Sequence, residues 1–269
     1  DEFSLGGGCH YPCECVGYES HCNNCPALLN FKWIASKKLQ KKVELLGLIP
    51  KTVIAPSAGI EKAVKSILFS KNTTFIKTVR GYKIDDVPSF ERSRTRFGIS
   101  EDEFIVMFGA ININEERKGF NYLLKALEIV SGKVDNKITA LVIGNSSLNI
   151  PQIKNIRFYC TGALELNQLY EAFSLSNVFV SPSIADSGPM MVKYSIACGT
   201  PVVAFPIGYA LDFIKHKETG YIADMLSVDS LADGILYFYH NQVYREEFSR
   251  KCITLNNNLL KNDCVYNSL

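Results

Sequence analysis

The chain has 269 residues, 47% hydrophobic and 21% charged, the balance of a globular protein with a substantial core. Its length suits one large domain or two of ordinary size. With 29 Lys and Arg against 27 Asp and Glu the net charge is only +2; this gives no electrostatic case for a nucleic-acid partner, no apolar run approaches the roughly 20 residues of a membrane-spanning helix, and no signal peptide is visible.

The first residue is Asp1 rather than Met, which reads as a chain that begins inside a longer gene product. There are nine cysteines, and Cys9, Cys13, Cys15, Cys22 and Cys25 crowd into GGGCHYPCECVGYESHCNNCP. Cys160, Cys198, Cys252 and Cys264 are scattered, mostly in apolar surroundings. This is not the pattern of a disulfide framework, so cytosolic, reduced thiols are expected and the cluster points to a metal. Cys9, Cys15, Cys22 and Cys25, with Cys13 and His10 beside them, can close a tetrahedral zinc site around the terminal Cys-x2-Cys. Four protein ligands leave no open position, so such a zinc is structural. Free or oxidised thiols fit the same residues, because the spacings are not those of a standard ribbon.

Residues 34–46 form a basic amphipathic helix. Ala35, Leu39, Val43 and Leu46 line one face, and Lys37, Lys38, Lys41 and Lys42 crowd another. Such a face suits an anionic membrane surface or simple solvation.

From residue 52 short apolar runs alternate with helical patterns. TVIAPS (52–57) reads as a strand, AGIEKAVKSILF (58–69) as a helix and FIKTVRG (75–81) as a strand. FIVMFGA (104–110) is followed by a loop and by a helix with Phe120, Leu123, Leu124, Leu127 and Val130 at helical spacing. ITALVIGN (138–145) and IRFYCTG (156–162) are strands, and Leu166, Leu169, Tyr170 and Phe173 mark one helical face. NVFVSPS (177–183), a helix from Met190, and TPVVAF (200–205) continue the rhythm, and a polar helix begins near Val243. The pattern predicts an α/β fold, with a mainly parallel sheet covered by helices on both faces. Ligands are then expected in the loops at the carboxyl ends of the strands.

Two of those loops carry chemistry. Asp186-Ser187-Gly188-Pro189 separates a strand end from a helix start. Pro189 suits the first helical position, Asp186 or Ser187 can cap, and the open N–H groups suit a phosphate. A plain capped turn has the same features. The loop after FIVMFGA holds Arg117 and Lys118, with Gly119 just before the helix. Cations there can neutralise a diphosphate, or form an ordinary solvated pair.

RKGF before an apolar helix, LYEAFSLSNVFVSPS, the acid-containing turn, ACGTPVVAFPIG and ETGYIA, in this order and spacing, resemble the family 4 retaining glycosyltransferases. These have the GT-B fold, two Rossmann-like domains facing a cleft. GGGCHYP and CNNCP resemble the subset found in bacterial surface-polysaccharide clusters. The resemblance implies transfer of a sugar from a nucleotide-diphosphate sugar to an acceptor hydroxyl, with retention, in the cytoplasm or at the inner face of the membrane. It implies a glycan or lipid-linked glycan acceptor and no metal for catalysis. Lys118 and Arg117 would hold the diphosphate, with Gly109 at the strand end. Asp186 would stand for the first acid of the family's paired motif, as the catalytic contact to the donor sugar. Ser187, Gly188, Pro189, Met190 and Met191 would offer backbone groups to the sugar and phosphates.

Three positions depart from the family. Tyr194 falls on the second acid, which grips the ribose; a phenol donates one hydrogen bond but cannot accept two as a carboxylate does. Ala110 follows Gly109 where an arginine is common. Gly81-Tyr82-Lys83 replaces Pro-Asn-Gly before the interdomain linker. The family's catalytic histidine stands just before the segment matching residues 1–8, preceded by most of the first domain. The expected organisation is therefore a remnant of the acceptor-side domain over 1–82, including the Cys-rich loop, a nucleotide-sugar domain over 83–252 and a C-terminal helix and tail over 253–269. On this reading the chain alone is incomplete and inactive, and a non-catalytic nucleotide-sugar binding module is the alternative.

Overall fold

The computed structural model describes residues 2–100, 103–145, 150–261 and 266–267. The chain divides into two compact units: residues 1–79 with 185–188 and 263–269, and residues 80–184 with 189–262.

The first unit begins with the cysteine-rich loop, which runs through short 3-10 turns at Gly17–Glu19 and Pro26–Phe31. Helix α1 (Lys32–Leu46) follows. Ala35 and Leu39 are buried with Leu68 and Cys22, and Val43 packs at the margin of that cluster. Leu46 departs from the expected stripe and is exposed. Strand β1 (Lys51–Ala55), helix α2 (Ser57–Lys65) and strand β2 (Thr73–Lys77) form a βαβ unit, with Lys51 opposite Thr73 and Ala55 opposite Lys77. β2 ends four residues before the expected strand does. Its last rung is the Thr78 N–H donating to the Ala55 carbonyl at 2.9 Å. α2 buries Ile60 and Ala63.

The second unit opens with α3 (Phe90–Phe97), which the sequence pattern did not reveal. Ser89 caps it by accepting from the Arg92 N–H at 3.2 Å, and Gly98 ends it in the left-handed conformation. Then follow β3 (Phe104–Asn112), α4 (Phe120–Ser131), β4 (Ile138–Asn145), β5 (Ile156–Gly162), α5 (Leu166–Leu175), β6 (Val178–Ser181), α6 (Met190–Ala197) and β7 (Val202–Ala204). α7 (Ala210–Phe213), β8 (Gly220–Ile222) and α8 (Val228–His240) add a last strand and a helix that the pattern also missed. α9 (Arg245–Lys261) runs unbroken through positions 252 and 253, where the sequence reading divides domain from tail. Cys264, with the rest of 262–265 and 268–269, lies outside the described residues. β9 (Tyr266–Asn267) pairs antiparallel with β2 in the first unit.

The six strands β5-β4-β3-β6-β7-β8 are all parallel and lie in that order. The chain builds outward from β3 to β5, then returns to β6 on the other side of β3. This is the doubly wound, Rossmann-like order, with its switch point between β3 and β6. Phe104, Val106, Phe108, Val178 and Val180 face α4 and α8 on one side. Phe173 of α5 meets Phe179 of β6 on the other, ring centroids 5.2 Å apart. Leu123 and Leu127 of α4 are fully buried, each contributing roughly 1.5–3 kcal/mol. The fold is thus the α/β arrangement with helices on both faces that the alternating pattern predicts. β6 stops at Ser181 because Pro182 has no N–H to extend the ladder. Among the described residues no helix is long and apolar enough to cross a membrane.

Candidate functional site

The carboxyl ends of β3, β4 and β6 border a cavity of about 490 Å3, a volume suited to a small molecule. Gly109 and Ala110 end the buried part of β3, Gly144 and Asn145 end β4, and Ser181 and Ser183 flank the end of β6. The β3–β4 pairing slips register between Gly109 and Asn112, so the strand end is irregular where it reaches the cavity.

Arg117 and Lys118 enter the wall from a 3-10 turn, Glu116–Lys118. Gly119 makes this turn possible. Its φ is +74°, and a Cβ there would lie 1.8 Å from the Pro182 carbonyl oxygen. The Ile184 N–H donates to the Arg117 carbonyl at 2.8 Å. The cationic turn is thereby stitched to the segment that follows β6. Arg117 is paired with Glu115 at 2.6 Å, which offsets part of its charge.

Pro189, Met190, Met191 and Tyr194, at the start of α6, form the opposite wall. Met191 lies over Gly109, where a Cβ would meet its Cε at 2.4 Å. The first-turn N–H groups of a helix have no intrahelical carbonyl, and the helix dipole adds positive potential there. A cationic turn and a helix start therefore face one cavity, an arrangement suited to an anion.

The turn before α6 corrects one expectation. Pro189 is the N-cap, not the first helical residue, and no side chain caps the helix. The Gly188 N–H donates to Asp186 Oδ1 at 3.1 Å, so the carboxylate turns back into its own loop. Gly109, Arg117, Lys118, Pro189, Met190, Met191 and Tyr194 line the cavity, while Asp186, Ser187 and Gly188 belong to the first compact unit.

Tyr194 belongs to a cluster of three tyrosines. Its ring meets Tyr82 edge-on at 4.6 Å and Tyr170 at 5.9 Å, and the Tyr170 hydroxyl donates to the Tyr82 hydroxyl at 3.1 Å. Burial first, then the neighbouring Tyr82, raises the Tyr194 pKa, so its hydroxyl is a neutral donor. Tyr170 is raised for the same reasons. Leu164 and Leu169 also line the cavity; the sequence pattern marks Leu169 and Tyr170 only as one face of a helix. Only the general expectation of ligand-bearing loops after IRFYCTG and NVFVSPS pointed near them.

In the first unit, Cys9, Cys15, Cys22 and Cys25 line a separate cavity of about 200 Å3. None of them is in a disulfide. As placed, and among the described residues, no three His, Cys, Asp or Glu side chains stand together at metal-binding spacing.

The family model described as glycosyl transferases group 1 matches residues 89–254. The chain is 27% identical over 157 residues to a GDP-mannose-dependent alpha-(1-6)-phosphatidylinositol monomannoside mannosyltransferase of Mycobacterium tuberculosis, covering 53% of this chain and 40% of that protein. It is 28% identical over 183 residues to a D-inositol 3-phosphate glycosyltransferase of Paenarthrobacter aurescens, covering 62% and 43%. The chain spans less than half the length of the curated relatives it matches. A solved structure of Anabaena Alr3699/HepE, in complex with UDP and glucose, superposes with a TM-score of 0.64 at 16% identity, over 83% of this chain and 63% of that one. At that identity the likeness is one of fold.

Proposed function

The chain belongs to the glycosyl transferases group 1 family, and from that membership we propose that it is the donor-binding part of a family 4 retaining glycosyltransferase. It moves a sugar from a nucleotide-diphosphate sugar to an acceptor hydroxyl. The observation that carries this reading is the single cavity at the strand switch point, bordered by both the Arg117–Lys118 turn and the start of α6.

Lys118 and Arg117 neutralise the diphosphate, and the first-turn N–H groups of Met190 and Met191 hydrogen-bond it. In the transfer step the bond from the sugar C1 to the diphosphate oxygen breaks, and the acceptor oxygen bonds C1 on the same face. The acceptor's proton leaves with the diphosphate. Stabilising the negative charge that builds on that leaving group is the main catalytic task, and fixed cations and N–H dipoles do this without reorganising. Tyr194 supplies one neutral hydrogen-bond donor at the ribose in place of a carboxylate. By the resemblance, Asp186 contacts the transferred sugar, and Ser187 and Gly188 offer main-chain groups to the sugar and phosphates.

The acceptor is a glycan or lipid-linked glycan of surface-polysaccharide synthesis, on the cytoplasmic side of the membrane. The exposed Trp33 beside Lys37, Lys38 and Lys41 of α1 supports a peripheral membrane contact. The Anabaena structure with UDP and glucose supports a uridine nucleotide as the first donor to try.

Titration of the chain with UDP-, GDP- and ADP-sugars, followed by ligand-observed NMR, tests the donor site. Saturable binding of one of them, lost in Lys118→Ala, is expected; no saturable binding of any of the three sinks the reading. A second reading, a nucleotide-sugar binding module without turnover, is favoured by Tyr194 standing where the family has its second acid. Binding without donor hydrolysis or transfer selects it, and turnover that falls in Asp186→Asn with binding unchanged selects the enzyme.

A further inference from the structure

The cysteine-rich loop offers five cysteines and two histidines, His10 and His21, and the structure sorts them. Cys9, Cys15, Cys22 and Cys25 border one cavity of about 200 Å3, which neither His10 nor Cys13 lines. Cys13 is exposed, with its thiol directed to the Tyr11 carbonyl at 3.7 Å, and the His10 ring stands 5.5 Å from that of Phe3. Cys22 adopts a left-handed φ of +52°, a conformation that costs a non-glycine residue roughly 1–2 kcal/mol.

The main chain and one fixed cation approach these sulfurs. The Gly17 N–H donates to Cys15 Sγ at 3.5 Å. A Cβ on Gly17 would stand 3.4 Å from Cys15 Sγ and 3.5 Å from Cys22 Sγ, so one point of the main chain touches both sulfurs. Lys42 is fixed beside them. Its Nζ donates to the carbonyls of Phe3 and Gly6 at 2.9 and 2.7 Å, and it lies over the Phe3 ring at 4.7 Å. N–H donors to sulfur and a nearby fixed cation are the outer shell that supports a metal-bound tetrathiolate, whose net charge with a divalent ion is negative.

We propose that Cys9, Cys15, Cys22 and Cys25 bind one thiophilic divalent cation, zinc, as a structural staple of this loop. The four sulfurs line the wall without standing at coordination spacing, so binding turns them inward about their side-chain torsions into the space between them. The step balances as four thiols and one Zn2+ giving a zinc tetrathiolate and four protons, with no change of oxidation state. Affinity therefore falls as the pH is lowered. A segment with only a small hydrophobic cluster, around Cys22, Ala35, Leu39 and Leu68, gains its order from the metal.

Cobalt titration of the reduced chain, treated beforehand with chelator, is the test. One equivalent of Co2+ is expected to give sulfur-to-metal charge transfer and the intense visible bands of a tetrahedral thiolate site, both removed by stoichiometric Zn2+. Zinc should protect four thiols from a disulfide reagent, in Cys13→Ser as in the parent. Cys22→Ser and Cys25→Ser should lose the spectrum. Because those variants can fail through misfolding, thiol protection in the parent chain stands as the independent readout. Only weak octahedral cobalt absorption, unprotected thiols with zinc present, or native disulfides among these four by mass spectrometry would overturn the proposal.

Discussion

Asn256 and Tyr82, 174 residues apart in sequence, exchange two hydrogen bonds. Asn256 Oδ1 accepts from the Tyr82 N–H at 2.8 Å, and its Nδ2 donates to the Tyr82 carbonyl at 3.0 Å. The amide thus stands in for a strand partner to the main chain of Tyr82. Tyr82 in turn holds Tyr194 and Tyr170, so α9 reaches the cavity through a backbone clamp and two ring contacts.

Asn256→Ala leaves both main-chain groups of Tyr82 unpaired in a site where Asn256 itself is only 5% exposed. It should lower stability by about 1–3 kcal/mol. Urea denaturation measures the loss. Asn256→Asp, which keeps the acceptor and loses the donor, should fall between.

Lys118→Ala should weaken donor binding by about 10- to 100-fold, the worth of a charge-assisted hydrogen bond of roughly 1.5–3 kcal/mol. Arg117→Ala should cost less, because its guanidinium already faces Glu115. Gly119→Ala should cost more than either in stability, since the added carbon collides with the Pro182 carbonyl and φ is +74°. Calorimetry and urea midpoints separate the three effects; equal binding by parent and Lys118→Ala would remove the diphosphate assignment.

Burial holds the Cys198 thiol up at about 12, from an ordinary value of 9.0. The folded value is the higher one. The unfolded chain therefore releases its proton first, and stability present below about pH 9 is lost as the pH rises toward 12. Cys198 alone accounts for about 3 kcal/mol by pH 11. Tyr194 and Tyr170 act in the same direction, while Lys193, lowered by burial and then by Arg80, opposes them near its own titration. Urea midpoints should drop steeply between pH 9 and 11, and less steeply in Cys198→Ala.

Arg94 is 1% exposed and joins three elements. Its guanidinium donates to the carbonyls of Leu175 and Ser100 and, at 2.8 Å, to Asn177 Oδ1, which also accepts from the Ile105 N–H at 2.8 Å. Arg94→Met keeps the stem but strands these acceptors, and Asn177→Ala removes one buried acceptor from both the guanidinium and the Ile105 N–H. Each should cost about 3–5 kcal/mol, and the double variant should cost much less than the sum.

Arg94 also marks the limit of what the residues reveal. The strands β3, β4 and β6 are legible because a parallel strand buried on both faces must be a continuous apolar run, as FIVMF and VFV are. α4 is legible because Leu123, Leu127 and Val130 recur at helical spacing. FERSRTRF gives no such signal: it is charged throughout, and its place in the core depends on acceptors from Ser100, Leu175 and Asn177. β8 is too short to show an alternation, and α8 is apolar on more than one face. Of the residues lining the cavity, Arg117, Lys118 and the start of α6 stand out locally because strand ends and helix starts have signatures, whereas Gly109 comes from the family resemblance. The tyrosine cluster does not stand out, because Tyr82, Tyr170 and Tyr194 meet only in three dimensions. Asp186 was legible as an acid in a turn, but not as one that folds back on Gly188.

The hydrogen bond from Ile184 to the Arg117 carbonyl and the close approach of Gly119 to Pro182 tie the cation-bearing turn to the exit of β6. Lys118 follows Arg117 on a turn whose main chain these contacts constrain. On the proposed reading, an anion bound there meets a main chain that is already constrained, which lowers the ordering cost of binding. Association should then be a single fast phase that slows with added salt, with discrimination among anions expressed in how quickly each one leaves.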